Sequence, residues 1–276
     1  LFDLCLTEME SSQMLAAQRQ SLILKEVSAR GAARIAELAE ILDVSEMTVR
    51  RDIDVLAEQG LVDKVHGGAT SIGASSVSEP PFTAKSLRER VAKEAIAEAA
   101  AKLVAPGAAI GLMGGSTVYA LSRHLADVPR LTIITNSLPV SDFLHREGRS
   151  DQTVILTGGV RTPTDSFVGE LAINSLSSFN LDLVFMGTHG MHPEAGFSSP
   201  NLLEAETNRA IRNRAKKFVV LADNTKWGEM GFSSFARLEE ADILVTDDGL
   251  SHDVQNQLKA SVGEVIVVHA EQLAAS

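Results

Sequence analysis

The sequence predicts an α/β protein in two parts, a small helical unit with a hairpin and then a larger, mostly parallel α/β domain. Three observations predict it. Residues 36–69 read as a helix, a tight turn, a second helix with adjacent arginines, and a short hairpin with a basic tip. Residues 73–85 are small, polar and broken by Pro80-Pro81, the composition of a linker. Beyond them, short apolar runs alternate with helical stretches, the pattern of a parallel sheet covered by helices on both faces. The expected layout is therefore a first domain over 14–72, a linker over 73–85 and a second domain over 86–276. Residues 1–13 read as an upstream extension, with Met9 or Met14 as alternative starts.

In the first unit, Ile35, Leu38, Ala39 and Leu42 recur at spacings of three and four, so they share one helical face. Asp43-Val44 forms the turn, with Val44 as a plug between two helices. Ser45 stands at the N-cap of the next helix, where its hydroxyl can accept a backbone N–H. That helix runs from Glu46 to about Gln59 and stops at Gly60, which suits the residue after a helix C-cap. Val49, Ile53 and Leu56 fall within a narrow inward arc, leaving Glu46, Met47, Thr48, Arg50 and Arg51 on the outward face near the N-terminus. Leu61, Val62 and Val65 suit short strands, and Gly67-Gly68 suits a turn. Lys64 and His66 would then project from the hairpin. This is the layout of a winged helix-turn-helix, which sets one helix in the DNA major groove. Either arginine can read guanine or hold phosphate, and the residues alone do not assign the two roles. The bland alternative is an ordinary helical hairpin with a surface arginine pair. The charge balance runs against a DNA-binding unit: from Met14 to Ile72 seven basic residues meet nine acidic ones. Affinity is therefore expected to come from a local patch, from two units acting together, and to be sensitive to salt.

In the second domain, Arg88–Leu103 reads as an alanine-rich helix and Val118–Leu125 as another. Strands are expected at Ala108–Met113, Leu131–Thr135, Thr153–Leu156, Leu183–Met186, Lys217–Leu221, Ile243–Thr246 and Val265–Val268. Small polar residues follow the strands' C-terminal ends: Gly114-Gly115-Ser116-Thr117, Asn136-Ser137, Gly158-Gly159, Gly187-Thr188-His189-Gly190, Asp223-Asn224-Thr225-Lys226 and Thr246-Asp247. Open α/β sheets bind ligands at that edge. The free N–H groups of a helix start, with the Ser116 and Thr117 hydroxyls, favour an anion such as phosphate. Lys226 would add positive charge, and Asp223 would accept from sugar hydroxyls. Taken singly, each cluster also fits a strand-to-helix turn that needs Gly, Ser or Asn for backbone reasons. Lys226 alone fits a solvated lysine, and His189 fits neutral packing in a loop as well as ligand contact. Six clusters on one edge favour a site.

Composition narrows the classes further. A chain of 276 residues with 45% hydrophobic content suits two packed domains, and a net charge of −11 argues against a protein that coats nucleic acid broadly. The single cysteine, Cys5, excludes an internal disulfide and suits a reducing compartment, here the cytoplasm. No run is long enough for a membrane span, Leu1–Leu6 lacks the basic flank of a signal peptide, and no internal repeat is evident. No Cys/His spacing suggests a metal, and no cofactor is expected.

Val44–Ile53 followed by Val65-His66-Gly67-Gly68-Ala69 resembles the N-terminal signature of the DeoR family of bacterial transcriptional regulators nearly residue for residue. The resemblance runs from about Met14 to the end. It implies a repressor of a carbohydrate operon whose sensor domain is similar in fold to ribose-5-phosphate isomerase and binds a phosphorylated sugar or related metabolite. The matching sensor positions are Gly115-Ser116-Thr117, Thr135-Asn136-Ser137, Gly158-Gly159, Asp223 with Lys226, and Thr246-Asp247. Many members carry an acidic residue where Met113 stands and Asp where His189 stands. A bulkier, differently charged or less hydroxylated effector would suit these departures. Operator DNA, the effector and a second copy of the chain, as dimer or tetramer, are the expected partners. The competing readings are a sugar-phosphate isomerase with a DNA-binding arm, using Asp223, Glu204 or Asp247 as its base, and a sensor that has lost its ligand. The loss of carboxylates at Met113 and His189 argues against the first, and the intact phosphate loop argues against the second.

Overall fold

The computed structural model describes residues 16–30, 32–65, 67–70 and 82–270. The chain divides between residues 74 and 75 into two compact units. Residues 1–13, His66 and residues 73–81 of the expected linker lie outside the described residues.

The first unit runs α1 (Ala16–Arg30), β1 (Ala32–Arg34), α2 (Ile35–Leu42), α3 (Glu46–Glu58), β2 (Asp63–Val65) and β3 (Gly68–Thr70). Its three strands form an antiparallel sheet in the order β1-β3-β2. The helix pair matches expectation, and Asp43 takes up a left-handed turn conformation between the two. The Ser45 side chain accepts the Thr48 N–H at 3.2 Å, as an N-cap should. The end of α3 is a full Schellman motif: Gly60 N–H donates to Ala57 and Leu61 N–H to Leu56. This corrects one expectation. Leu61 and Val62 are buried and do not form the wing strand, which starts at Asp63, because Leu61 is the apolar residue that closes the helix end. Helix α1 and strand β1 were not anticipated. Ile23 and Val27 of α1 are buried, as are Leu38, Val49, Ile53 and Leu56 of the helix pair.

The second unit begins with α4 (Phe82–Leu87) and α5 (Arg90–Ala101). The expected linker thus ends too late: Phe82 to Lys85 are helical, and the Phe82 ring meets Tyr119 edge-on at 5.4 Å. Then follow β4 (Ala109–Leu112), α6 (Ser116–Leu125), β5 (Thr132–Thr135), α7 (Leu138–Glu147), β6 (Thr153–Leu156), the β7–β8 hairpin (Val160–Arg161, Phe167–Val168), α8 (Glu170–Leu176) and β9 (Leu181–Gly187). After these come β10 (Gly190–His192), β11 (Gly196–Ser199), α9 (Leu202–Arg212), β12 (Ala215–Leu221), β13 (Ser233–Ala236), β14 (Ile243–Asp247), α10 (His252–Ser261) and β15 (Glu264–Val268).

Seven of these strands form one sheet in the order β15-β14-β12-β9-β4-β5-β6, with every neighbouring pair parallel. Alternation along β9 divides the core. Leu183 and Phe185 pack with Ile96, Leu121 and Val140 of α5, α6 and α7 on one face. Val184 and Met186 pack with Ala205, Ile211 and Leu258 of α9 and α10 on the other. Each of the larger of these side chains contributes about 1.5–3 kcal/mol by leaving water. Chain order reverses between β4 and β9: from β4 the chain builds outward to β5 and β6, then returns to lay β9 on the opposite side. A crevice at that point, beyond the strands' C-terminal ends, is the expected ligand seat of such a sheet. Among the described residues no helix is long and apolar enough to cross a membrane.

Candidate functional site

Helix α3 presents its polar face outward. Ser45, Glu46, Met47, Arg50 and Arg51 are exposed and Thr48 is half-buried. Arg50 lies 3.7 Å from Glu46 one turn away, and Lys64 on the wing is paired with Asp54. Both pairs are largely in solvent, so breaking them costs about 0–1 kcal/mol. Beneath this face, buried Asp52 accepts hydrogen bonds from Arg19 Nε at 2.8 Å and Gln20 Nε2 at 3.2 Å of α1. That contact sets the rotation of α3, and a contact across 33 residues leaves no local pattern in sequence.

In the second unit a cavity opens where β4 and β9 diverge. It is lined by Gly114, Gly115, Ser116 and Thr117 after β4, and by Gly187, Thr188 and His189 after β9. Ser198, Ser199, Pro200, Glu204, Asn208 and Phe235 form a second wall, and Lys85, Arg88, Lys93 and Lys226 bring positive charge. The first-turn N–H groups of α6 have no partner within the helix, so the loop offers donors as well as a helix dipole.

This loop is tightly supported. The buried Asn136 accepts the Gly114 N–H through Oδ1 at 2.9 Å and donates from Nδ2 to Phe167 O at 3.0 Å. A Cβ on Gly114 would lie 2.0 Å from Ser166 Oγ and 3.0 Å from its Cβ, so any larger residue there requires the Ser166 side chain to move. Opposite it, the His189 N–H donates to Ser198 O at 3.0 Å, and the Thr188 hydroxyl donates to Gly190 O at 2.7 Å. Burial first, then the charges of Lys85 and Lys226, push the His189 pKa down to about 4, so its ring is neutral at pH 7.

Lys93 is buried, and its ammonium donates to Lys85 O at 2.6 Å and Arg88 O at 2.5 Å, clamping the α4–α5 junction. Burial draws its pKa down to about 8, partly offset by the nearby charge of Asp223. Lys226 sits on a single 3-10 turn, Asn224–Lys226. Asp223 caps that turn, and Asp247 accepts both the Asn224 N–H at 2.8 Å and its amide at 2.9 Å.

Comparison with known proteins meets this geometry at both ends of the chain. Residues 19–74 match the DeoR-like helix-turn-helix domain model, and residues 88–248 match the DeoR C terminal sensor domain model. The chain belongs to the DeoR family. It is 36% identical to the HTH-type transcriptional regulator GolR of Listeria innocua over 86% of this chain and 93% of that one. It is 33% identical to the regulator GlpR of Haloferax volcanii over 92% and 98%, respectively. It is 36% identical to a lactose phosphotransferase system repressor of Staphylococcus epidermidis over 82% and 90%. Among solved structures, ribose 5-phosphate isomerase A of Methanocaldococcus jannaschii aligns with 51% of this chain and 55% of its own, at 20% identity and a TM-score of 0.38.

Within this DeoR-family regulator the structure sorts the sequence-predicted sensor positions. Gly114, Gly115, Ser116, Thr117, His189 and Lys226 line the cavity. Asn136, Ser137, Gly158, Gly159 and Asp223 do not. Asn136 holds the loop from behind. Ser137 caps α7 by accepting the Val140 N–H. A Cβ on Gly159 would fall 2.6 Å from Val168 O, so this residue serves the β7–β8 hairpin. Asp223, expected to accept from sugar hydroxyls, is 1% exposed; its Oδ1 accepts the Thr225 N–H at the start of the Lys226 turn, and its Oδ2 has no hydrogen-bond partner among the described residues. Sequence reasoning missed Lys85, Arg88 and Lys93, which fell in the expected linker and in an alanine-rich helix.

Proposed function

We propose that this regulator is a repressor of a carbohydrate-metabolism operon that binds operator DNA through α3 and its wing and responds to a phosphorylated sugar or related metabolite. The observation that carries the sensor half is the cavity at the sheet's reversal point. It has a glycine-rich loop opening a helix on one side and four cationic side chains around it. Relatives named as a lactose phosphotransferase system repressor and a putative aga operon transcriptional repressor support the carbohydrate assignment.

On the DNA side we assign base and phosphate contacts to Ser45, Glu46, Met47, Thr48, Arg50, Arg51 and Lys64, and from the sequence alone to His66. Two copies would read a symmetric operator, with the effector favouring one spacing of the DNA-binding units over another. A ligand changes DNA affinity only by binding the two arrangements unequally. The protein would act in the cytoplasm as a dimer or tetramer.

The isomerase alternative needs a base within reach of a substrate carbon. Asp223 and Asp247 are buried and lie off the cavity wall, which leaves Glu204 on it. Its Oε2 accepts the Ser199 hydroxyl at 2.7 Å. We therefore assign no catalytic residue. The test is gel retardation of the DNA upstream of its own operon, with and without phosphorylated sugars, alongside a turnover assay with the same compounds. Release or tightening of DNA without turnover is expected. Turnover at enzymatic rates, or DNA binding indifferent to every phosphate ester, would overturn the assignment.

A further inference from the structure

The three-stranded sheet of the first unit has two faces, and its register assigns each residue to one of them. Ala33, Ala69 and Lys64 form one cross-strand row, and Arg34, Gly68 and Val65 form the next. The first row faces the core: Ala33 and Ala69 are buried, and Lys64 reaches Asp54 of α3. The second row therefore faces away, with Arg34 and Val65 both exposed. Gly68 stands between them without a side chain, and a Cβ there would fall 2.3 Å from Ala33 O. The close approach of β3 to β1 thus keeps the middle of the row bare. The result is a cleft lined by the side chains of Arg34, Glu37 and Val65 and by the backbone of Gly67 and Gly68.

This cleft lies at the tip end of the hairpin. Val65 and Gly68 flank the tip, and the Ile35 N–H donates to Gly67 O at 2.9 Å, tying the start of α2 to it. A wing that meets a duplex beside α3 brings this end to the sugar–phosphate backbone. Arg34 also differs from its neighbours. Arg19 is bonded to Asp52, Arg50 lies against Glu46, and Lys64 is paired with Asp54. Arg34 stands at the N-cap position of α2 without making a capping bond, and among the described residues its guanidinium has no ion-pair or hydrogen-bond partner. A phosphate reaches it without first displacing a carboxylate, and the planar guanidinium suits a phosphate's paired oxygens. Glu37, exposed on the same cleft, forms no ion pair with it.

We propose that this cleft is a further DNA-backbone site, in which Arg34 holds a phosphate while Val65 and the bare glycine backbone lie against the adjoining deoxyribose. This rests on the operator-binding reading above and extends the DNA surface from α3 and the hairpin to strand β1. The contact is to phosphate and sugar, so it fixes the protein's position on the duplex and carries no sequence preference. Glu37 opposes it by charge.

The test is fluorescence anisotropy of the full-length protein with a labelled random-sequence duplex and with the DNA upstream of its own operon, each over a range of salt. Arg34→Gln should weaken binding to both duplexes several-fold and lower the slope of log affinity against log salt by about one per bound copy. Arg34→Lys should keep the slope, and Glu37→Gln should tighten both complexes. The slope counts released counterions, so a merely structural role for Arg34 would leave it unmoved. Arg34→Gln with the parent's affinity and slope, beside an Arg51→Ala that loses affinity, would overturn the cleft and spare the reading of α3. A loss confined to the upstream DNA, with the slope unchanged, would make Arg34 a base reader and overturn the backbone assignment. Failure of the parent protein to bind either duplex would overturn the operator reading and the cleft with it.

Discussion

On α3 and its wing the charged side chains proposed to meet DNA come from two nearby stretches of sequence, and two of the cations already have partners: Arg50 with Glu46, and Lys64 with Asp54. In the cavity the charges arrive from separate segments, α4, the α4–α5 junction, α5 and the turn after β12, and four cations face one carboxylate. The two surfaces therefore treat an incoming anion differently. The DNA face gives up weak, solvated pairs whose loss is nearly neutral, so its affinity is expected to follow phosphate neutralisation and salt. The cavity holds desolvated cations such as Lys93, so a small anion there gains more per charge and is less screened.

The largest expected effect breaks the first surface from below. Asp52→Ala removes a buried carboxylate together with the hydrogen bonds it accepts from Arg19 and Gln20, which should cost about 3 kcal/mol in the first unit. Urea unfolding of the full chain should show that transition moving to lower urea, with the sensor's ligand affinity unchanged. Equal loss in both units would mean that they do not fold independently.

Gly114→Ala should break the second surface alone. Its Cβ would overlap Ser166 Oγ, and overpacking should lower the second unit's stability by about 1–3 kcal/mol and, by displacing the loop, weaken effector binding. Binding to the operator fragment without effector should be unaltered.

Arg51→Ala sharpens the first surface. Loss of a base or phosphate contact should weaken operator binding by about 1–3 kcal/mol, with the melting temperature unchanged. If the loss is the same for every DNA sequence, Arg51 holds phosphate. If it is confined to one base position, Arg51 reads a base.

The smallest effect is a pH dependence peculiar to the cavity. With its pKa lowered to about 8, Lys93 is charged at pH 7 and mostly neutral at pH 9. An anion favours the charged form, so binding above pH 8 must take up a proton. Effector affinity should fall about tenfold from pH 7 to pH 9. Lys93→Met should flatten that profile, whereas a slope persisting in the variant would assign it to another group.

The same contrast governs what could be read from the chain. Helix α2 and the start of α3 were legible because their apolar spacing, N-cap and closing glycine are all local. Strand cores were legible, but ends were not. Asp182 hides the start of β9 because a charge there looks like loop, yet it accepts the Ala109 N–H at 3.0 Å and pairs with Lys216. The small sheet of β10, β11 and β13 was missed because Gly196–Ser199 has little apolar alternation, and its serines are buried by partners far along the chain. For the site, the glycine-rich loop that lines the cavity was legible as a motif. Lys85, Arg88 and Lys93 were not, because a cation's role in a cavity depends on what folds over it. Asp223 was read as a ligand contact because its strand-end position is right, but its burial was invisible.

The most direct measurement is the thermal unfolding of the full-length protein titrated with inorganic phosphate and phosphorylated sugars, beside Thr117→Asp. Saturation to a hundredfold above Kd stabilises the native state by about 2.7 kcal/mol. For a unit of this size that is a rise of roughly 5–10 °C. A dose-dependent rise in the parent chain that vanishes in Thr117→Asp is the predicted result. An equal rise in both, or none in either, would contradict a phosphate seat at the mouth of α6.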